Sequence, residues 1–212
     1  MADTALVCDV DNTILDTRPR VRRCLETIGR GEVFAKSNKT YGGFRAFLSE
    51  QEAQDFWRIF LSERFLDLDD PLPGAASVLH QWVLQGALIY LTGRHDAPGD
   101  SMREGTLRWL ERHGYPVPNG GQVQLLMKPA RTALDLDFKR AALEQLQATH
   151  DLVAGLGDLP QEGPLYADFG LKPILVSVVG LFGEDELKHA HPAVEVADNW
   201  RSVEALLLKT KR

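Results

Sequence analysis

An apolar run, "ALVC", carries residues 5–8 into Asp9, Val10 and Asp11. Its hydrophobic continuity predicts a buried strand over 5–10. In an extended segment residues i and i+2 face the same side, so Asp9 and Asp11 are expected to share one small volume. After this strand, "TRPRVRRCLETIG" predicts a short helix ending near Gly29. From Arg30 to Asp70 the pattern changes: Phe44, Phe47 and Leu48, then Phe56, Phe60 and Leu61, recur at three- and four-residue spacings between charged positions. That periodicity predicts a helical module without strands, closed by the Pro- and Asp-rich break "DLDDPLPG".

Beyond the break, helical and strand patterns alternate. "PGAASVLHQWVLQ" is amphipathic, with Pro73 suited to a first helical position and Gly86 to the residue past the end. "ALIYLTG" reads as a buried parallel strand, "SMREGTLRWLERHG" as a helix, "VQLLM" as a strand and "DLDFKRAALEQLQ" as a helix. "LVAGLGD" and "KPILVSVVG" predict two more strands around a short helix at "PLYADFG"; "VEVAD" predicts an edge strand and "NWRSVEALLLKTK" a closing helix. Such alternation predicts an α/β fold, a parallel sheet with helices on both faces. In sheets of this kind ligands sit outside the carboxyl ends of the strands. Asp9 and Asp11, Thr92 to Arg94, and Asp158 all fall at predicted strand ends.

The chain has 212 residues, enough for one domain with a smaller one attached. A net charge of -6 argues against a mainly electrostatic nucleic-acid binder, which needs a broad excess of Lys and Arg. Two cysteines, Cys8 and Cys24, make no disulfide framework. "MADTALV" lacks the basic head and apolar core of a secretory signal, and no run reaches membrane-spanning length. A cytoplasmic protein with no membrane partner is the default expectation.

Two clustered carboxylates with a third acid suit a hard cation such as Mg2+. One carboxylate can attack phosphorus while its neighbour handles protons. Thr92 and the Gly93 amide suit a phosphoryl oxygen, because glycine lets backbone approach closely. "DVDNT", "LTGR", "FKRAAL" and "GLGDLPQEG" occur in this order, and the set resembles the four motifs of the haloacid dehalogenase superfamily of phosphohydrolases.

That resemblance implies a Rossmann-like α/β core at 1–16 and 71–212, with a helical cap at 17–70. It implies Asp9 as nucleophile, Asp11 as general acid and base, and Thr92 as a phosphate-binding hydroxyl. Lys139 would steady the nucleophile. Thr13, Gly93 and Arg94 would contact substrate. Asp9, Asp11, Asp158 and Glu162 would surround Mg2+, Asp158 directly and Glu162 through water. The implied activity is hydrolysis of a small phosphomonoester or nucleotide through an aspartyl-phosphate. A phosphotransferase or mutase, a nucleic-acid-end phosphatase and a catalytically silent binding protein are the alternatives.

Other residues have a bland reading beside the chemical one. "DVDNTILD" resembles a calcium loop, but Ile14 stands where that loop needs Gly and Arg20 where it needs Glu. Lys128 competes with Lys139 for the lysine role; Lys139 is preferred because it opens a helix after an apolar pair. Arg94 reads equally as a structural ion pair, and His95 as a solvated loop residue. His189 and His191 lack a third ligand nearby, and Arg18, Arg20, Arg22 and Arg23 read as a solvated helix face. Phe56, Trp57 and Phe60, at helical spacing, read as the interior of the helical module.

Overall fold

The computed structural model describes residues 3–37, 41–118 and 120–209. Strand β1 (Asp3–Cys8) leads through a turn to a short strand β2 (Leu15–Asp16), then to helices α1 (Arg18–Thr27), α2 (Gly31–Lys36), α3 (Tyr41–Arg45) and α4 (Glu50–Phe60). A 3-10 segment at Glu63–Leu68 leads to β3 (Asp70–Pro71). From there α5 (Ala75–Val83), β4 (Ala87–His95), α6 (Met102–Arg112), β5 (Val123–Lys128), α7 (Asp135–Leu146) and β6 (His150–Gly157) alternate. They are followed by α8 (Glu162–Asp168), β7 (Lys172–Val176), α9 (Glu184–His189), β8 (Glu195–Ala197) and α10 (Trp200–Leu208).

Six strands form one sheet in the order β5-β4-β1-β6-β7-β8, and every pairing in it is parallel. The direction of build-out reverses at β1, with β4 on one side and β6 on the other. The period-2 alternation of β1 sorts its side chains between two cores. Leu6 and Cys8 pack with Leu79, Trp109 and Val203 on one face, while Ala5 and Val7 pack with Leu143, Leu165 and Tyr166 on the other. Helices therefore cover both faces, as the sequence pattern predicts. Each fully buried Leu, Val or Ile contributes roughly 1.5–3 kcal/mol.

The helices of residues 18–60 pack a third cluster, in which Val21, Cys24 and Leu25 of α1 meet Phe44, Leu48 and Phe56. Ser49 caps α4 and Glu52 closes a reciprocal capping box. β2 and β3, two residues each, pair antiparallel where the chain leaves the sheet and where it returns. Those two strands and α9 are absent from the sequence expectation. β1 also ends earlier than predicted: Thr13 and Ile14 donate their amides to the carbonyl of Val10, so the chain is already turning. Asn12 sits there with φ of 57°, a left-handed value that Asn tolerates better than most residues, and its side-chain oxygen accepts from the amide and hydroxyl of Thr17.

Candidate active site

The turn after Val10 sends the two acids to separate partners. Both still line one cleft, and the charge of Asp11 still acts on Asp9. Asp9, 5 % exposed, accepts a hydrogen bond from Lys139 Nζ at 2.7 Å on its Oδ1. Lys139 lies one turn into α7, itself buried, and also donates to Glu162 Oε1. Glu162 opens α8 with its Oε2 accepting the amides of Asp158 and Leu159, at 3.0 and 3.1 Å. A side chain on Gly157 would meet Glu162 Oε2 at 2.1 Å, so glycine is required for that approach. Asp158 completes the group, with Oδ2 buried and lacking a hydrogen-bond partner among the described residues. Lys139 thus pairs with two of the three carboxylates and acts on Asp158 by its charge alone.

Asp11 belongs to a second group. Its carboxylate accepts from Arg94 Nε and Nη2 at 3.0 and 2.8 Å and from Arg20 Nη2 at 2.5 Å. Asp69, which precedes β3, accepts from Arg94 Nη2 at 3.0 Å. Arg20 Nε stands 2.9 Å from Asp69 Oδ1, close enough to pair in charge but outside hydrogen-bond angles. Arg20 also donates to the Phe60 carbonyl and lies 4.1 Å over its ring. Here two carboxylates share two arginines.

The electrostatic consequences are opposite. Burial pushes Asp9 up to about 7 against the pull of Lys139, and Glu162 and Asp11 add to the rise. Burial and the charges of Glu162 and Asp9 raise Asp158 well above its ordinary value. Burial also works to raise Asp11, but Arg94 and Arg20 outweigh it and hold this acid well below the usual carboxylate range. Lys139 keeps its proton, because Asp9 and Glu162 overcome the effect of its burial.

Solved structures share this architecture along nearly their whole length. A protein named as a predicted phosphatase from Clostridium acetobutylicum superimposes with a TM-score of 0.69 at 12% identity, covering 99% of this chain and 100% of its own. A hydrolase described as haloacid dehalogenase-like, from Streptococcus pneumoniae, gives 0.66 at 14% identity over 97% and 98% of the two chains. The chain has the haloacid dehalogenase-like fold. Protein tyrosine kinase A of Mycobacterium tuberculosis has it too, at 0.67 and 19% identity over 97% and 98%, so the fold alone does not fix the reaction. No family model and no curated protein matches the chain.

A cleft of about 1020 Å³ opens over the carboxyl end of the haloacid dehalogenase-like sheet, lined among others by Asp9, Asp11, Gly93, Arg94, Lys139, Asp158 and Glu162. Thr92 is fully buried and does not line it; its hydroxyl accepts the amide of Arg94 at 3.2 Å. Thr13 is also buried, its hydroxyl without a partner among the described residues. At Gly93 the neighbour is the Asp135 carboxylate, which a Cβ would meet at 2.5 Å. Lys128 pairs with that same Asp135, which leaves Lys139 as the lysine on Asp9.

Two residues expected at the surface are buried. His95 is buried, its Nε2 2.9 Å from the Leu61 carbonyl, because β4 runs on to residue 95 through an irregularity after Thr92. Arg20 is 1 % exposed, whereas Arg22 and Arg23 are solvated. Its helical phase was the available signal: Arg20 lies four residues before the buried Cys24. Asp69 was missed because it sits inside the Asp-rich break. His189 and His191 stand apart from the cleft, one ending α9 and the other just beyond.

The residues fit a hard divalent cation. Of the four acids expected around it, Asp11 is engaged by arginines and Glu162 by Lys139 and two amides. Asp9 and Asp158 remain, the latter with an orphaned buried oxygen. Among the described residues no three acidic, His or Cys side chains form a ready-made metal cage. Mg2+ needs none, since it is commonly held by one or two carboxylates with water and substrate oxygens. Fully ionised, the three carboxylates and one lysine carry a net charge of minus two, which one such ion balances.

Proposed function

We propose that the protein is a Mg2+-dependent phosphatase that hydrolyses a phosphomonoester through an aspartyl-phosphate on Asp9. The observation that carries this reading is the 2.7 Å contact of Lys139 Nζ with Asp9 Oδ1 inside an acid-rich group at the cleft floor. Lys139 holds Oδ1 and leaves Oδ2 as the attacking atom. Attack on phosphorus breaks the ester P–O bond, and the departing alkoxide takes a proton. Water then attacks the acyl phosphate, gives up a proton, and leaves inorganic phosphate and the free carboxylate.

Asp9 and Asp158 would hold the cation, which supplies charge neutralisation for the carboxylates and the transferring phosphoryl group. Lys139 supplies fixed positive charge on the other side of Asp9. Asp11 is the carboxylate nearest in sequence for the proton steps. Paired with Arg20 and Arg94 it binds a proton poorly in this arrangement.

Asp9→Asn tests the reading. The variant should fold, judged by an unchanged circular dichroism spectrum, and release no phosphate above background from a broad panel of monoesters with Mg2+. Wild-type release should cease in EDTA and return with Mg2+. A fully active Asp9→Asn would sink the mechanism.

A further inference from the structure

The cleft is larger and less polar than a small phosphometabolite needs. Its volume of about 1020 Å³ lies at the upper end of small-molecule sites, which run from about 300 to 1,000 Å³. Asp9, Arg20, Arg94, Lys128, Lys139, Asp158 and Glu162 are buried in its lining, whereas Arg58 and Arg131 reach it from exposed positions. Trp57, Phe60 and Leu61 from the helical segment line the same cleft as Leu136, Leu181 and Phe182 from the α/β part. All six keep part of their surface exposed to solvent. Trp57 is braced edge-on against Phe60 and Phe56, each at 5.5 Å between ring centroids.

The cations lining the cleft give the second observation. Arg20 and Arg94 are taken by Asp11 and Asp69, Lys139 by Asp9 and Glu162, and Lys128 by Asp135. Arg58 pairs with Asp55 at 2.7 Å, and Arg131 pairs with Asp100. Among the described residues, every lysine and arginine of the cleft already has a carboxylate partner. The four buried cations are engaged inside the site, so a second anionic group on the substrate could meet only Arg58 or Arg131, in competition with Asp55 and Asp100.

Resting on the phosphatase reading, we propose that the substrate is a phosphomonoester whose phosphate is its one anionic group and whose body is bulky and apolar, of aromatic size. Trp57, from α4, and Leu136, from α7, bind that body. Polyphosphates, bisphosphates and short polar sugar phosphates are disfavoured by the same walls.

The test compares 2-(1-naphthyl)ethyl phosphate with ethyl phosphate. Both leave as primary alcohols, so intrinsic reactivity is similar. The ratio of kcat/KM values should favour the naphthyl ester by on the order of 100-fold, since each methylene-sized step of apolar contact is worth ~10-fold or more. Trp57→Ala should lower that ratio at least tenfold and Trp57→Phe should restore most of it. Leu136→Glu, at an exposed position that tolerates substitution, should lower it independently. A ratio near one, or faster turnover of a bisphosphate, overturns the proposal. If neither ester is hydrolysed, calorimetry with the matching phosphonates separates the two ideas. Tighter binding of the naphthylethyl phosphonate keeps the apolar site and removes the hydrolytic reading, whereas equal affinities remove the site.

Discussion

Asp9 and Asp11 are two residues apart and face opposite electrostatic problems. Asp9 stands with Asp158 and Glu162 around one lysine, and burial drives its pKa up to about 7. Asp11 stands with Asp69 between two arginines, balanced in charge, and its pKa falls. The difference comes from backbone more than from side-chain type. One turn of chain after Val10, permitted by Asn12, sets the second acid against the arginines. A pair of like residues at near-identical sequence positions is thereby divided into a charge-deficient group suited to a cation and a closed group tied to the helical segment.

Removing the single lysine should break the comparison most severely. Lys139→Met leaves three buried carboxylates without their cation, and losing one partner of a buried ion pair typically costs about 3–5 kcal/mol. Stability in EDTA, from the denaturant midpoint, should fall by an amount in that range. Phosphate release with Mg2+ should fall by at least ~10²-fold, as it does on loss of a fixed electrostatic stabiliser. If stability were unchanged, the three acids would be protonated and the lysine unnecessary.

The arginine group should respond less, because its members substitute for one another. Arg20→Met leaves Arg94 to serve both Asp11 and Asp69, a loss of about 1–3 kcal/mol. Measured at pH 8, above the raised pKa of Asp69, adding Asp69→Asn removes one negative charge and restores balance. The double variant should therefore be more stable than the sum of the single losses requires, with a coupling of about 0.5–3 kcal/mol. Strict additivity in that cycle would show that the four charges do not act as a unit. Arg20→Met should also lose less activity than Lys139→Met.

The sequence carried much of the acid-rich group and little of the arginine group, for a physical reason. Asp9, Asp158 and Lys139 each adjoin an apolar run or open an amphipathic helix, so local pattern alone puts them at the sheet's carboxyl edge. Arg20 lies in a run of four arginines, of which it alone is almost wholly buried; only its phase relative to Cys24 separates it from the others. Asp69 has no periodic neighbour and is joined to Arg94 across 25 residues. Strands β2 and β3 are too short for any alternation to register. Helix α9 has six residues with one buried position, Leu187, too few for an apolar stripe.

The smallest effect concerns pH, and its sign distinguishes the two groups. Burial raises Asp69 from 3.8 to about 7, even though Arg20 and Arg94 pull it down. The native protein then holds a proton on Asp69 that the unfolded chain has released, across the interval from about pH 4 to pH 7. That contribution to stability is fully present below pH 4 and is lost as pH rises through 7. Asp9 and Asp158, also raised, act in the same direction, whereas Asp11, being lowered, contributes stability that is lost only on strong acidification. Wild-type protein in EDTA should therefore have a lower denaturant midpoint at pH 8 than at pH 5. Asp69→Asn, which fixes that site in a neutral state, should reduce the decline without removing it, because Asp9 and Asp158 still titrate. If the slope is unchanged in Asp69→Asn, Asp69 is ionised throughout and the two arginines prevail over burial at both of their acids.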